Sequence, residues 1–398
     1  MAELRGWDRL ITWRSFATPG ERRHAVKRLL KLPARAAREA RADVAKFGRE
    51  VTAESGVSRG RQLLQLWWLK VRHGMDAQAY IDYQLYRPER WRQAGEYVGE
   101  KEFFRVGQFI KFQRAGMDAN VLFDKRLFDG WCREHGFPTV PTVLEFEDGR
   151  VKHSTIADGT LPACDLFSKP SSGTGGQGTG RWMYDGNGGY AGSDGRTRGA
   201  AELLEELATI SRTLRKRGTS PKRLLVQQCL HNHHALLSLT PGALSTIRLQ
   251  TYRWPQGEAQ MLFAAYKMPV GDVPADNFHY GAIVAPVDLA IGRLGQAIYR
   301  RGKLITTVER HLTTGTLIAG HQLPFWEEAV RLVLRAHDAV NRMPAVGWDV
   351  AVLEDGPILV EGNTLPNPDI AQAPTGVPLG ATPFVRCLNA HLRECFGL

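Results

Sequence analysis

What this chain of 398 residues lacks narrows it first. Its five cysteines (Cys132, Cys164, Cys229, Cys387 and Cys395) are scattered, odd in number and without a CxxC pair. That argues against a disulfide framework or a zinc site and predicts reduced thiols in the cytoplasm. Long apolar runs are absent too. The best, Leu63 to Val71, is far too short to span a bilayer, and Met1 to Arg14 has no apolar core, so no signal peptide is expected. There is no Ser/His/Asp or Cys/His signature of a covalent nucleophile. Acid is in short supply. The net charge is +11, and residues 1–50 hold 13 Lys/Arg against 6 Asp/Glu, an excess of 7. A basic arm suits nucleic acid, an anionic membrane surface, an acidic partner or substrate, or simply a solvated helix face. No aromatics interleave with the arm's basic residues as base-stacking platforms require, which weighs against nucleic acid.

The chain is too long for one core, so two or three domains are expected. We place them at residues 1–95 (helical), 96–145 (a linking segment), 146–230 (a lid with a Gly-rich flap) and 231–398 (a C-terminal unit). In the first, Glu21 to Leu32 is basic, and Pro33 suits the first turn of a helix over Ala34 to Lys46. Gly60 to His73 and Asp76 to Arg87 follow, with Trp67, Trp68, Tyr80, Tyr83 and Tyr86 expected as packing anchors. Asp118 to His135, the amphipathic Ala200 to Arg217, Glu327 to Asn341 and Thr382 to Phe396 read as further helices. Thr139 to Phe146 reads as a strand.

The chemistry concentrates in Gly347 to Asp369, read as a β-hairpin followed by a Pro-rich loop. Trp348 to Leu353 and Ile358 to Glu361 are apolar enough to be half buried. Glu354-Asp355-Gly356 suits a three-residue turn, which pairs Asp349 with Glu361; a two-residue turn would put Asp349 on the opposite face. Alternation then places Asp349, Glu361 and Asn363 on one face. Two carboxylates and an amide oxygen are a hard-ligand set for Mg²⁺. Spacing alone fits solvated residues on an exposed hairpin equally well.

Leu166 to Pro170 is a short strand carrying Lys169, and a glycine-laden stretch from Ser171 to Gly180 follows. Gly173-x-Gly175-x-x-Gly178 matches the dinucleotide fingerprint literally, but no helix or βαβ unit follows, and there is no Walker Gly-Lys-Ser/Thr. What remains is a flap whose backbone N–H groups, at Ser172, Gly173, Gly175 and Gly176, can close on phosphates, with Lys169 adding a point charge. Leu224 to Leu230 is a buried strand whose end (Gln228, Cys229, Leu230) can offer backbone groups to a purine edge. His231, His233 and His234 look like a metal cluster, but nothing nearby supplies a carboxylate, so they are expected as loop residues. Ser245 to Tyr252 and Met261 to Met268 are antiparallel strands carrying Arg248 and Lys267. Buried cations need an anion, either a polyphosphate or acyl phosphate, or a core Asp or Glu.

Taken in order, FDKRLF around Lys125, Lys169 beside the flap, VQQCL, STIRLQTY, DNFHYGAI and GWDVAVLEDGPILVEGNTLPNPD resemble the ATP-grasp superfamily, and within it the sugar-transfer associated ATP-grasp proteins. The likeness covers about residues 75 to 395. It implies an α+β ATP-grasp fold, two α/β lobes clamping ATP, here with an N-terminal basic helical extension. It further implies that Lys125 and Lys169 contact phosphates, that Gln228 to Leu230 line the adenine pocket, that Asn277 joins the nucleotide site, and that Asp349, Glu361 and Asn363 hold Mg²⁺. Arg248, with Lys267, would neutralise the transferring phosphoryl group. Many relatives carry an Arg two residues before the first metal carboxylate. That position is Gly347 here, which leaves the work to Arg248. The implied reaction joins a carboxylate to an amine through an acyl phosphate, on a sugar acid, amino acid, peptide or carrier-bound substrate. A kinase-like phosphotransferase and a non-catalytic nucleotide-binding module are the alternatives.

Overall fold

The computed structural model describes residues 1–6, 11, 30–113, 121–122, 124–156, 160–171, 179–214, 223–240, 242–271, 281–340, 342–364 and 366–398, without the side chains of 111–113. Ser172, Gly173, Gly175 and Gly176 of the expected flap, and Asn277, lie outside them.

The elements assemble around two antiparallel sheets of seven strands each. The first contains β1 (Thr142–Glu147), β2 (Arg150–Ser154), β3 (Leu166–Pro170), β4 (Gly180–Tyr184), β5 (Gly189–Gly192), β6 (Thr197–Gly199) and β7 (Leu224–Gln228). Their order is β2-β1-β7-β3-β4-β5-β6. The second is built from β8 (Ile247–Arg253), β9 (Ala259–Met268), β10 (Ile283–Pro286), β11 (Ala297–Arg301), β12 (Leu304–Val308), β13 (Ala345–Leu353) and β14 (Gly356–Asn363), ordered β12-β11-β10-β9-β8-β13-β14. Antiparallel sheets with helices on their faces make an α+β protein.

Helices seal the sheets. The helices are α1 (Leu32–Ser55), α2 (Arg59–His73), α3 (Ala77–Asp82), α4 (Pro88–Trp91), α5 (Glu100–Gln113), α6 (Lys125–Glu134), α7 (Ala200–Thr213), α8 (Trp326–Ala339), α9 (Pro368–Thr375) and α10 (Pro383–Phe396). Pro33 does sit in the first turn of α1, where its missing N–H costs nothing. On the first sheet, Leu203 and Leu207 of α7 join Leu144, Leu166 and Val226 in one core. One face of the second sheet is covered by α8, whose Val333 and Ala336 meet Leu249, Tyr266, Trp348 and Val350. The side chains alternating with these point the other way. There, Ala265, Val284, Ile298 and Ile305 pack against α1–α3 and Ile370 of α9. Tyr80, Tyr83 and Tyr86 are fully buried in that seam, as packing residues, while Trp68 keeps 37% of its surface exposed.

The central hairpin differs from the three-residue turn. Leu353 pairs with Gly356, so the turn holds two residues, Glu354 and Asp355. Asp349 still pairs with Glu361, because the register shifts next to Asp349 and Val360 is left without a partner as a β-bulge. The bulge supplies the residue that the turn does not. Gly356, the first residue of β14, has a positive φ of 126°. The expected Pro-rich loop after the hairpin is short: Thr364, Pro366 and Asn367 are non-helical, and Asn367 accepts the Asp369 N–H as the cap of α9, with Pro368 in its first turn.

Candidate active site

Sheet register alone assembles the centre of the site. Arg248 of β8 lies opposite Asp349 of β13, which lies opposite Glu361 of β14. Ala265 of β9 lies beside Arg248, and Lys267 is two residues further along the same face. This is the face on which the N-terminal helices pack, beyond β9. Arg248 grips Asp349 with a two-point fork: Nε donates to Oδ1 at 2.8 Å and Nη2 to Oδ2 at 3.0 Å. Lys267 Nζ lies 3.1 Å from the same Oδ1. Burial alone would raise the Asp349 carboxyl, but Arg248 and Lys267 outweigh it and hold the group down at about 2. Of the two anions considered for these cations, the structure provides the core carboxylate.

Glu361 has a cation of its own. Lys125 Nζ, in the first turn of α6, stands 3.1 Å from Glu361 Oε2. Asp124 caps that helix by accepting the Arg126 N–H, and the Lys125 N–H donates to the Ser171 carbonyl at 3.2 Å. Ser171 is in turn fixed to Arg223, whose N–H it accepts on Oγ at 3.2 Å. Lys125 therefore stands between the start of the glycine-laden stretch and the metal-type carboxylates. Lys169 adjoins this group. Loss of surrounding water, then repulsion by Lys125, pushes it down to about 8, against the opposing pull of Glu361 and Asp129. Lys125, Lys169, Arg248 and Lys267 thus gather on Asp349 and Glu361.

Asn363 and Gly347 complete the face, and they are paired across the hairpin. The Asn363 amide donates Nδ2–H to the Gly347 carbonyl at 3.3 Å, which leaves Oδ1 as an acceptor. With Asp349 and Glu361 this is an all-oxygen donor set, the kind a hard divalent cation prefers. Each carboxylate oxygen has two lone pairs, so Asp349 can share with a cation while Arg248 remains in place. A Cβ on Gly347 would lie 2.7 Å from Pro366 Cβ and 3.2 Å from Arg248 Nη1. Arg248, arriving from the neighbouring strand, fills the space in front of Gly347.

One expectation is narrowed and another needs correction. The N–H groups of Gln228 and Cys229 already donate to the carbonyls of Pro141 and Asp165, at 3.2 and 2.8 Å. The backbone groups that Gln228 and Cys229 could still turn to a purine edge are their carbonyls. The histidine loop does have a carboxylate close by: Glu354, in the hairpin turn, accepts the His234 N–H at 2.6 Å and lies 2.8 Å from its Nδ1. His233 Nε2 is 3.7 Å from Glu354. The three side chains are close enough together to hold a metal. However, His233 Nδ1 accepts the Ala235 N–H, so Nε2 carries the ring proton and faces Glu354 as a donor, not a ligand. The group reads as a fastening of the inter-sheet connection to the hairpin tip.

Sequence reasoning missed Asp129, Ser171 and Asp369. Asp369 is buried against Tyr83 at the seam of α9 with the N-terminal helices. Burial first, then the charges of Asp82, Glu100 and Asp76, push it up to about 7 despite the Tyr83 hydrogen bond. The Asn-Pro-Asp run that caps α9 was the available signal.

Comparison with known proteins follows this geometry. No curated protein matches the chain. Among solved structures, D-alanine–D-alanine ligase from Bacillus anthracis complexed with ATP is 15% identical, with 70% of this chain and 68% of that one covered and a TM-score of 0.37. L-amino acid ligase from Bacillus licheniformis is 15% identical, with 62% and 41% covered and a TM-score of 0.32. The biotin carboxylase domain of 2-oxoglutarate carboxylase from Hydrogenobacter thermophilus, in complex with MgADP, ADP and bicarbonate, is 17% identical, with 70% and 46% covered and a TM-score of 0.39. These similarities are too distant to carry an argument about activity. The family model described as sugar-transfer associated ATP-grasp matches residues 105–381, which contain both sheets and every residue of the charged cluster. The chain, an α+β protein with the ATP-grasp fold, belongs to the sugar-transfer associated ATP-grasp family.

Proposed function

We propose that the protein is an ATP-dependent carboxylate–amine ligase. The observation that carries this reading is the meeting of Lys125, Lys169, Arg248 and Lys267 on Asp349 and Glu361. Four cations converging on one carboxylate-bearing face suit a triphosphate, with Lys125 and Lys169 on its oxygens. Asp349, Glu361 and Asn363 would hold magnesium, which when bound draws charge from the phosphoryl oxygens.

In the first step a substrate carboxylate oxygen attacks the γ-phosphorus. The bond to the β–γ bridging oxygen breaks, and ADP leaves with that electron pair. Arg248 and Lys267 neutralise charge on the transferring group and then on the acyl phosphate. In the second step the amine nitrogen attacks the acyl carbon, phosphate departs with the C–O electron pair, and the nitrogen loses a proton to give the amide. We infer a sugar acid, amino acid, peptide or carrier-bound carboxylate as the first substrate.

The test is product analysis after incubating the protein with Mg-ATP and pooled carboxylic acids, with and without pooled amines. Release of ADP and phosphate that depends on amine, with a new amide in the mass spectrum, is the expected result. A phosphorylated product without phosphate release would mean a kinase, and failure to bind Mg-ATP would remove both readings.

A further inference from the structure

Outside the charged cluster, the outer face of α2 has an unusual combination of residues. Gln62, Gln65, Leu66 and Leu69 are its buried side. At 100° per residue, the opposite arc is Leu64, Trp67, Trp68 and Val71, with Arg61 and Arg72 along one border. Leu64 is 67% exposed and Trp68 37%, and Arg61 and Arg72 are exposed. The helix RGRQLLQLWWLKVRH contains no acidic residue. Trp67 Nε1 donates to the Pro33 carbonyl at 3.1 Å, which draws the start of α1 alongside, where Leu30 is 78% exposed next to exposed Lys31. Trp68 packs beside Trp91, followed by the exposed Arg92. Of the four acids of α1, Glu39 and Asp43 pair with Lys70 on the other flank of α2, and Glu50 and Glu54 pair with Lys303 and Arg87.

We propose that this face docks the protein flat on a lipid bilayer with anionic headgroups. An apolar ridge of leucine and tryptophan bordered by arginine is the composition of an interfacial helix: leucine enters the acyl boundary, tryptophan sits at headgroup depth, and arginine meets phosphate. From Arg61 to Arg72 the ridge is about 17 Å long, at 1.5 Å per residue. A second copy packed antiparallel on this face would bring Arg61 and Arg72 against their own kind. A convex helix ridge also offers no groove for a rigid partner, whereas a fluid surface conforms to it. No helix among the described residues is long and apolar enough to cross a membrane, so the attachment is peripheral. It would set the ligase site beside substrates held at a bilayer surface.

The experiment is flotation of the full chain with phosphatidylcholine vesicles, with and without phosphatidylglycerol, at low and high salt. Binding that needs phosphatidylglycerol and is released by salt is expected, with tryptophan emission quenched by brominated acyl chains. Arg61→Ala with Arg72→Ala should lower partitioning about 30-fold. Leu64→Ala, at a position too exposed to unsettle the fold, should reduce the quenching. Unchanged melting curves and Mg-ATP binding would show that both variants are folded. Equal binding to both vesicle types, no quenching, or binding to soluble polyglutamate but not to vesicles would overturn the proposal, the last in favour of an acidic protein partner.

Discussion

Asp349 and Asp369 are buried aspartates 20 residues apart, and the fold treats them in opposite ways. Asp349 is given two cations and ionises readily, with its carboxyl held down at about 2. Asp369 is given a tyrosine hydroxyl and three nearby acids, and is pushed up to about 7. Tyr83 Oη donates to Asp369 Oδ1 and also lies 3.1 Å from the Val98 carbonyl. Its bond to the carboxyl opposes the rise without cancelling it. The comparison teaches that burial does not decide the charge of a carboxyl; its partners do. The ion-paired aspartate stands in the candidate site, and the one whose carboxyl is pushed up stands where the N-terminal helices meet the second sheet.

The largest expected effect breaks the first half of the contrast. Asp349→Ala strands Arg248 and Lys267 without their anion, and urea unfolding should show a loss of about 3–5 kcal/mol. Arg248→Met in the same chain should recover part of it. Next, the Asp369 carboxyl, raised in the fold from its ordinary 3.8, opposes folding once it must ionise. Stability through this group is therefore highest in acid and falls as pH rises from about 4 to 7, by an amount of order 3 kcal/mol. Asp369→Asn keeps an acceptor for Tyr83, cannot ionise, and should flatten that dependence in melts taken across pH. A smaller effect sharpens the site. Glu361→Gln should lower amine-dependent phosphate release at least about 100-fold without moving the melting curve. The smallest concerns Lys169, which loses its proton near 8 in the free protein. Mg-ATP affinity should fall above that pH, by up to about tenfold per unit. Lys169→Ala should bind weakly and without that pH dependence, as read by calorimetry.

Much of this was legible in the sequence. Apolar, β-branched runs announced β7, β8, β9 and the hairpin strands, because burial needs such residues locally. Arg248 and Lys267 were visible as cations out of place on those strands. What could not be read is what depends on contacts distant in sequence. Lys125 meets Glu361 only because α6 lies against β14, and Glu354 meets the histidines only because the loop after β7 runs past the hairpin tip. The turn length misled for a different reason: Glu-Asp-Gly suits two or three residues, and the choice is settled by where the strand can absorb a surplus residue. Asn367-Pro368-Asp369 read as loop because proline was weighed as a breaker and not as the first turn of a helix.

Between its turn and Asp349 the hairpin sets four residues, Val350 to Leu353, against five, Gly356 to Val360. The odd one out is stored at Val360, directly beside the Glu361 carboxylate. A chain lacking Val360 would keep every other pairing and lose only the local coil it imposes. The aim of Glu361 thus has an adjustment separate from the strands that carry it, and a lineage could retune that aim by a one-codon deletion while the core stayed untouched.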